Sequence, residues 1–228
     1  MTTHSGRGET PPDMKRDWDA RAGQNAQYFI ASTHHGSEDL FREQGARDVR
    51  LLFEGVEELL GPERELVDIG CGIGRMDEFL APRVKHLTGV DVSGEMVRQA
   101  RVRLGHIANA SFVECDGHSL PLPDASADTV YSHIVFQHVP RRVVHGYLRE
   151  AFRVLRGKGH FLFQVPEWNP RAPADPPDAD TFGMRFWKEA ELRTTLEAIG
   201  FLWRGVKRHP VTTPQLDFDQ LRVHVQKP

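Results

Sequence analysis

The chain has 228 residues, with 29 Lys and Arg against 32 Asp and Glu, and a net charge of −3. That length suits one domain with a small appendage and a sizeable core, and the charge excludes bulk attraction to nucleic acid. No apolar run approaches the roughly 20 residues of a membrane span, the polar N-terminus lacks the apolar stretch of a secretory signal, and two cysteines are too few for a disulfide framework, so a reducing, cytoplasmic setting is expected.

Residues 1–13 are rich in Gly, Pro and polar side chains and read as a disordered tail. Trp18, Ala22, Asn25 and Phe29 then fall at the spacing of a short amphipathic helix. A second helix is predicted from Ser37 or Glu38, with Val49, Leu52, Phe53, Val56, Leu59 and Leu60 on its apolar face and Gly61-Pro62 as its stop. Together these make a helical cap over 14–62. From Glu65 the texture changes to short apolar runs, the mark of strands buried on both faces. LVDIG, HLTGVD, ASFVEC, DTVYSHIVF and GHFLFQVP are predicted strands. Helices over 76–80, 95–104 and 143–155 fall among them. Residues 166–180, with five prolines and four acidic residues, are predicted to be an exposed lid or substrate loop, extending to about 186. A helix over 186–200 ends at Gly200, and two strands near 201–208 and 219–226 complete the pattern. The expectation is an α/β fold, a doubly wound and mostly parallel seven-stranded sheet over 63–228.

In such sheets a ligand lies at the C-terminal ends of the strands, beside the first one. That rule gathers Asp68 to Arg75, Asp91, Cys115-Asp116 and Ser132-His133 around one crevice. The turn Asp68-Ile69-Gly70-Cys71-Gly72-Ile73-Gly74-Arg75 lets backbone approach a ligand closely. Its pattern is G-x-G-x-G, and Arg75 stands where the dinucleotide fingerprint needs glycine. Asp68 just before it would repel a pyrophosphate and suits a cationic ligand or an ammonium group. Asp91, about 20 residues on, is placed to accept hydrogen bonds from a ribose, and Asp116 to accept one from an adenine amino group.

Residues 65–165 resemble a class I S-adenosylmethionine-dependent methyltransferase of the small-molecule type. The stretches that carry the likeness are ELVDIGCGIGRM, GVDVSGEMVRQAR, FVECDGHSLPLPDASADTVYSHIVFQHV and LREAFRVLRGKGHFLFQVP. The resemblance implies a Rossmann-like fold with S-adenosyl-L-methionine as cofactor and S-adenosyl-L-homocysteine as product. It implies that Gly70 and Gly72, with Cys71 between them, underlie the amino-acid portion and that Asp91 holds the ribose. Val92 or Met96 would lie against the adenine, Asp116 and Gly117 at its amino edge, and Ser132 and His133 beside the methionine portion. Arg75 and Arg21 are the candidates for the cofactor carboxylate. Asp68 and Asp91 together weigh against a plain capping role for either.

An in-line displacement at a sulfonium-activated carbon needs alignment and water exclusion, and it sometimes needs a base. His138, Gln137 and His133 are the candidates for catalysis. Trp18, Tyr28, Phe29, Glu167 and Trp168 are those for the substrate pocket and lid. His138 also reads as a histidine that packs in a turn, and Trp18, Tyr28 and Phe29 as a helix core face. His34-His35 read as loop residues, and the arginines of 141–158 as a solvated helix face. No metal site is expected, because no acidic or Cys partner stands at ligand spacing. The acceptor is expected to be a small molecule and not nucleic acid, since SHIV replaces the Pro-Pro motif of DNA amino-methyltransferases; the oligomeric state stays open. An enzyme that cyclises or cleaves the cofactor would carry the same core motifs. A nicotinamide oxidoreductase is disfavoured by Arg75 and by the lack of a hydride-transfer pair.

Overall fold

The computed structural model describes residues 13–31, 36–213 and 216–228. Residues 1–12 of the expected tail, and His34 and His35, lie outside the described residues. The first helix, α1 (Met14–Ile30), is capped by the Asp13 carboxylate on Arg16 N. It breaks at Asn25, whose φ of −168° and ψ of 90° leave the helical region. The Asn25 side chain then caps the following turn through Tyr28 N at 3.0 Å. α2 (Glu38–Phe53) starts at a Ser37 cap and ends earlier than the periodicity suggests. Gly55, at φ +72°, turns the chain. Val56, Leu59 and Leu60 are still buried, but through a short 3₁₀ turn over Glu57–Leu59. Apolar spacing alone does not distinguish a continuous helix from a helix followed by a tight turn.

Seven strands form one sheet in the order β3-β2-β1-β4-β5-β7-β6. They are β1 (Glu65–Ile69), β2 (His86–Asp91), β3 (Ala110–Glu114), β4 (Ala127–Ser132), β5 (Leu155–Pro166), β6 (Leu202–Thr212) and β7 (Asp217–Gln226). The first five positions pair in parallel, and β7 runs antiparallel to both β5 and β6. β1 shows why its sequence is nearly all apolar. Leu66 joins the core beneath α2, α3 (Asp77–Leu80) and α4 (Gly94–Leu104), whereas Val67 and Ile69 join the opposite core beneath α5 (Arg141–Val154) and α6 (Glu189–Ile199). A third, small cluster of Ala22, Ala26, Ala31, Phe41, Ile73 and Met96 ties α1 and α2 to the turn after β1.

Two predicted boundaries move. β4 stops at Ser132 because Ile134 adopts φ +58° and swings the chain off the sheet into a 3₁₀ turn over Phe136–His138. α6 starts at Glu189, and Phe186 and Trp187 are buried ahead of it; Trp187 N donates to Pro166 O at 2.9 Å, drawing the loop back to the end of β5.

The loop over 166–186 is held from inside by Arg185, which is 1% exposed. Its guanidinium donates to Pro177 O at 3.0 Å and Asp180 O at 2.8 Å, with longer contacts to His138 O and Gly183 O. Ion pairs of Arg141 with Asp175 and Arg142 with Asp178 tie the same loop to α5, so these arginines do more than solvate a helix face. No helix among the described residues is long and apolar enough to cross a membrane.

Candidate functional site

The three glycines after β1 all take positive φ: Gly70 +81°, Gly72 +55° and Gly74 +78°. Side chains there would be strained, and the neighbours leave no room. A Cβ on Gly70 would lie 2.4 Å from Val135, and one on Gly72 2.7 Å from Ile30 of α1. The turn is pinned to β2. Gly70 N and Cys71 N both donate to Val90 O, and Gly72 N donates to Asp91 Oδ2 at 2.8 Å. Asp91 Oδ1 accepts from Ser93 N at 2.9 Å. Each carboxylate oxygen keeps a second lone pair for a ligand. Burial pushes the Asp91 carboxyl up to about 6, against the pull of these backbone donors.

Above the turn lies a cleft enclosing about 810 Å³ of open space, solvent at its mouth included. Its floor is Ile69, Gly70, Cys71, Gly72 and Arg75, and Val90, Asp91, Val92 and Met96 form one wall. Cys115 and Tyr147, in contact at 3.4 Å, stand at its back. The segment His133 to Val135, with Val139, faces them, and Met14, Trp18, Phe29 and Ile30 of α1 cover it. A second recess of about 570 Å³, bordered by Asp116, Gly117, His118 and Arg142, shares Met14 and Val92 with the first.

The cleft therefore brings together Gly70, Cys71, Gly72, Arg75, Asp91, Val92, Met96, His133, Trp18 and Phe29 from the sequence-predicted set. Others lie elsewhere. Asp68 points to the opposite face of the sheet, beside its register partner Tyr131 and near Asp77. Strand alternation dictates this, since Val67 and Ile69 take the cleft side. Tyr131 donates to Asp77 Oδ1 at 2.6 Å. Burial raises both carboxyls, Asp77 to about 7, and neither borders the cleft where an ammonium ligand would lie. Ser132 is also turned away, its hydroxyl donating to Ile69 O at 2.8 Å. Asp116 borders only the second recess, and its carboxylate already caps its own turn through His118 N and Ser119 N.

His138 and Gln137 do not border the cleft. His138 Nδ1 lies 2.6 Å from Phe182 O, so it carries the proton, and Nε2 accepts from the Gln137 amide at 3.0 Å. With both nitrogens engaged, and burial pushing the ring down to about 4, His138 is a neutral lid anchor and not a base. Phe182 stacks on it at 5.4 Å. Gln137 is further held by Gln220 at 3.4 Å. Arg21 is drawn to the lid by Thr181 and sits over the Trp18 ring at 4.7 Å, which leaves Arg75 as the arginine that borders the cleft. Tyr28 is 40% exposed and outside the lining. Glu167 pairs with Arg208, and Trp168 lies under Lys188; both border a groove at the root of the β6–β7 hairpin instead.

One residue escaped the sequence reading. Asp48 is buried on the inner face of α2, where its Oδ2 accepts from Arg75 Nη1 at 2.7 Å and stands 3.4 Å from His133 Nε2. Burial works against its charge, but His133 and Arg75 more than offset this and hold its carboxyl down at about 2. Its signal was an acid set among Gly45, Val49 and Leu52 on an otherwise apolar helix face.

A glycine turn, a free-edged carboxylate at the end of β2 and a cleft at the C-terminal ends of parallel strands define a Rossmann-like cofactor-binding fold. Residues 67–163 match the methyltransferase domain family, and the chain is similar over its sheet core to S-adenosylmethionine-dependent methyltransferases. Their cofactor, S-adenosylmethionine, fits what the cleft offers. Asp91 keeps lone pairs for a diol, and Arg75 is the one cation among the described lining residues. The chain is 30% identical over 139 residues to the 2-methyl-6-phytyl-1,4-hydroquinone methyltransferase of Synechocystis, which covers 60% of this chain and 41% of that protein. It spans about half the length of the curated relatives it matches. Among solved structures, a methyltransferase from Methanosarcina mazei superposes with TM-score 0.66 at 20% identity, covering 77% of this chain and 98% of that one. The [4+2]-cyclase SpnF superposes with TM-score 0.65 at 20% identity, covering 80% and 81%. At these identities the superpositions speak to fold alone.

Proposed function

We propose that the protein transfers a methyl group from S-adenosylmethionine to an O, N or C atom of a small-molecule acceptor. The observation that carries this is Asp91, a carboxylate fixed by two backbone donors at the edge of a glycine-floored cleft, with no phosphate-binding glycine at position 75. S-adenosylmethionine supplies the activated methyl group. In this reading Gly70, Cys71 and Gly72 underlie its amino-acid portion, Arg75 meets its carboxylate, and Asp91 accepts from its ribose. Val92 and Met96 flank the adenine, whose amino edge reaches the recess at Asp116 and Gly117. The 14–62 helices act as the cap: Trp18, Phe29 and Ile30 close the cleft and exclude water. The loop over 166–186 closes it from the side through Phe182, which meets Phe29 at 5.8 Å. Two buried, unpaired thiols suit a reducing, cytoplasmic setting.

Calorimetric titration with S-adenosylmethionine, S-adenosylhomocysteine and NAD tests the cofactor. Binding of the first two and not of NAD supports the reading. Mass spectrometry of an acceptor screen then tests the reaction. The likeness to a [4+2]-cyclase keeps a second reading in play, in which the cofactor is bound without methyl transfer. A methylated product excludes it; methylthioadenosine, or a bound cofactor that is never consumed, favours it.

A further inference from the structure

The lining of the cleft limits the chemistry of its acceptor. Where His133 to Val139 meet α1, the walls are Trp18, Phe29, Ile134, Val135 and Val139, which suit an apolar or aromatic frame. Among the described lining residues Arg75 is the one cation, and the reading above commits it to the cofactor carboxylate, so an acceptor carboxylate finds no free counter-charge. Asp91 is the one carboxylate among them, and the same reading commits it to the ribose, so an ammonium acceptor finds none either. What remains is a neutral protic group. Two titratable rings line the cleft: Tyr147, whose hydroxyl is engaged with Cys115 Sγ at 3.4 Å, and His133, whose two nitrogens are buried and make no hydrogen bond among the described residues. Behind that ring stands Asp48, outside the lining, within ion-pair reach of Nε2 at 3.4 Å.

We propose that His133 is the general base of the transfer, that Asp48 is its positioning residue, and that the acceptor is a hydroxyl compound on an apolar frame, phenolic or enolic. The inference rests on the methyltransferase reading above. Asp48 favours the tautomer with the proton on Nε2 and so leaves the Nδ1 lone pair for the acceptor. The acceptor oxygen forms the new O–C bond as the C–S bond breaks towards sulfur, and the hydroxyl proton passes to Nδ1. Arg75, on the same oxygen of Asp48, keeps that carboxylate ionised and fixed.

The full chain is assayed with S-adenosylmethionine and two phenols, 4-methylphenol and 4-nitrophenol. His133→Asn leaves the Arg75–Asp48 pair intact. It is expected to slow transfer to 4-methylphenol by about 10²-fold or more, the scale of a lost general base. S-adenosylhomocysteine affinity should stay close to wild type. Transfer to 4-nitrophenol, assayed at pH 8 where it is largely phenolate, should keep most of its rate. Nitrogen-15 NMR of the S-adenosylhomocysteine-bound protein should show Nε2 protonated at His133. In Asp48→Asn that tautomer preference should be lost, a change that a merely structural Asp48 would not produce. Equal losses for both phenols, a His133 tautomer unmoved by Asp48→Asn, or cofactor binding with no phenol methylated each overturns the inference. Failure to bind the cofactor at all overturns the methyltransferase reading instead.

Discussion

Asp91 gives the sharpest quantitative test. Burial raises its carboxyl to about 6, while Gly72 N and Ser93 N pull the other way. Ribose hydroxyls donating to it stabilise the ionised form, so binding the cofactor must expel any proton present. At pH 5, about one unit below that, about one-tenth of the carboxyl is ionised. Affinity should therefore fall by about tenfold, or ~1.4 kcal/mol, between pH 7 and pH 5. Replacing Asp91 with Ala removes charge-assisted hydrogen bonds of about 1.5–3 kcal/mol, a 10- to 150-fold loss of affinity. The variant should also melt earlier, because Gly72 N and Ser93 N lose their acceptor. Asp91→Asn should weaken binding and flatten its pH dependence. Titration with S-adenosylhomocysteine at pH 5, 6 and 7, in two buffers of different ionisation enthalpy, reads both affinity and proton release. An affinity flat from pH 5 to pH 7, with no buffer dependence of the heat, would refute the assignment of Asp91 as a ribose acceptor.

Three further outcomes are expected. Gly72→Val should act through α1 more than through the cofactor, since the new Cβ meets Ile30 at 2.7 Å and the φ of +55° is strained; a destabilisation of about 1–3 kcal/mol, partly relieved by Ile30→Ala in thermal melts, would show this. His138, held down at about 4 by burial, is neutral in the fold and titrates near 6.5 when unfolded. Its contribution is therefore present above about pH 6.5 and is lost as pH falls towards 4; hydrogen exchange at residues 180–186 should accelerate over that window, and an unchanged rate would count against the anchor. Arg185→Ala should free four carbonyl contacts and cost about 2–4 kcal/mol, and Arg185→Lys should not restore it, because one ammonium cannot span them. Proteolysis within 166–186 is the readout.

The sequence and the structure agree best where one physical rule acts alone. Short, two-sided apolar strands alternating with helices could be read directly, and so could the positive-φ glycines and Asp91 at the end of β2. Asp68 was misplaced because the motif marks a position, whereas strand alternation decides which face a side chain takes. Its true signal was the alternation itself, with Val67 and Ile69 claiming the cleft side. His138 and Gln137 follow the fourth strand in sequence, yet the left-handed Ile134 turns them towards the lid. Glu167 and Trp168 needed the path of a proline-rich loop that no periodicity encodes. Asp48 was hidden because its partners, Arg75 and His133, lie 27 and 85 residues away along the chain.

The placement of β7 between β5 and β6 fixes an order of assembly. β6 has no other neighbour in the sheet, so it cannot join until β7 has been made and threaded into the gap. Until then β5 presents an open hydrogen-bonding edge beside Phe161, Phe163 and Val165, which are fully buried in the finished protein. A long, apolar, unpaired edge invites pairing with another chain, and the strand that protects it is made only after β5 and β6. Yield of folded protein should thus depend on how quickly β7 follows and pairs, a rate that can be changed without touching the cleft.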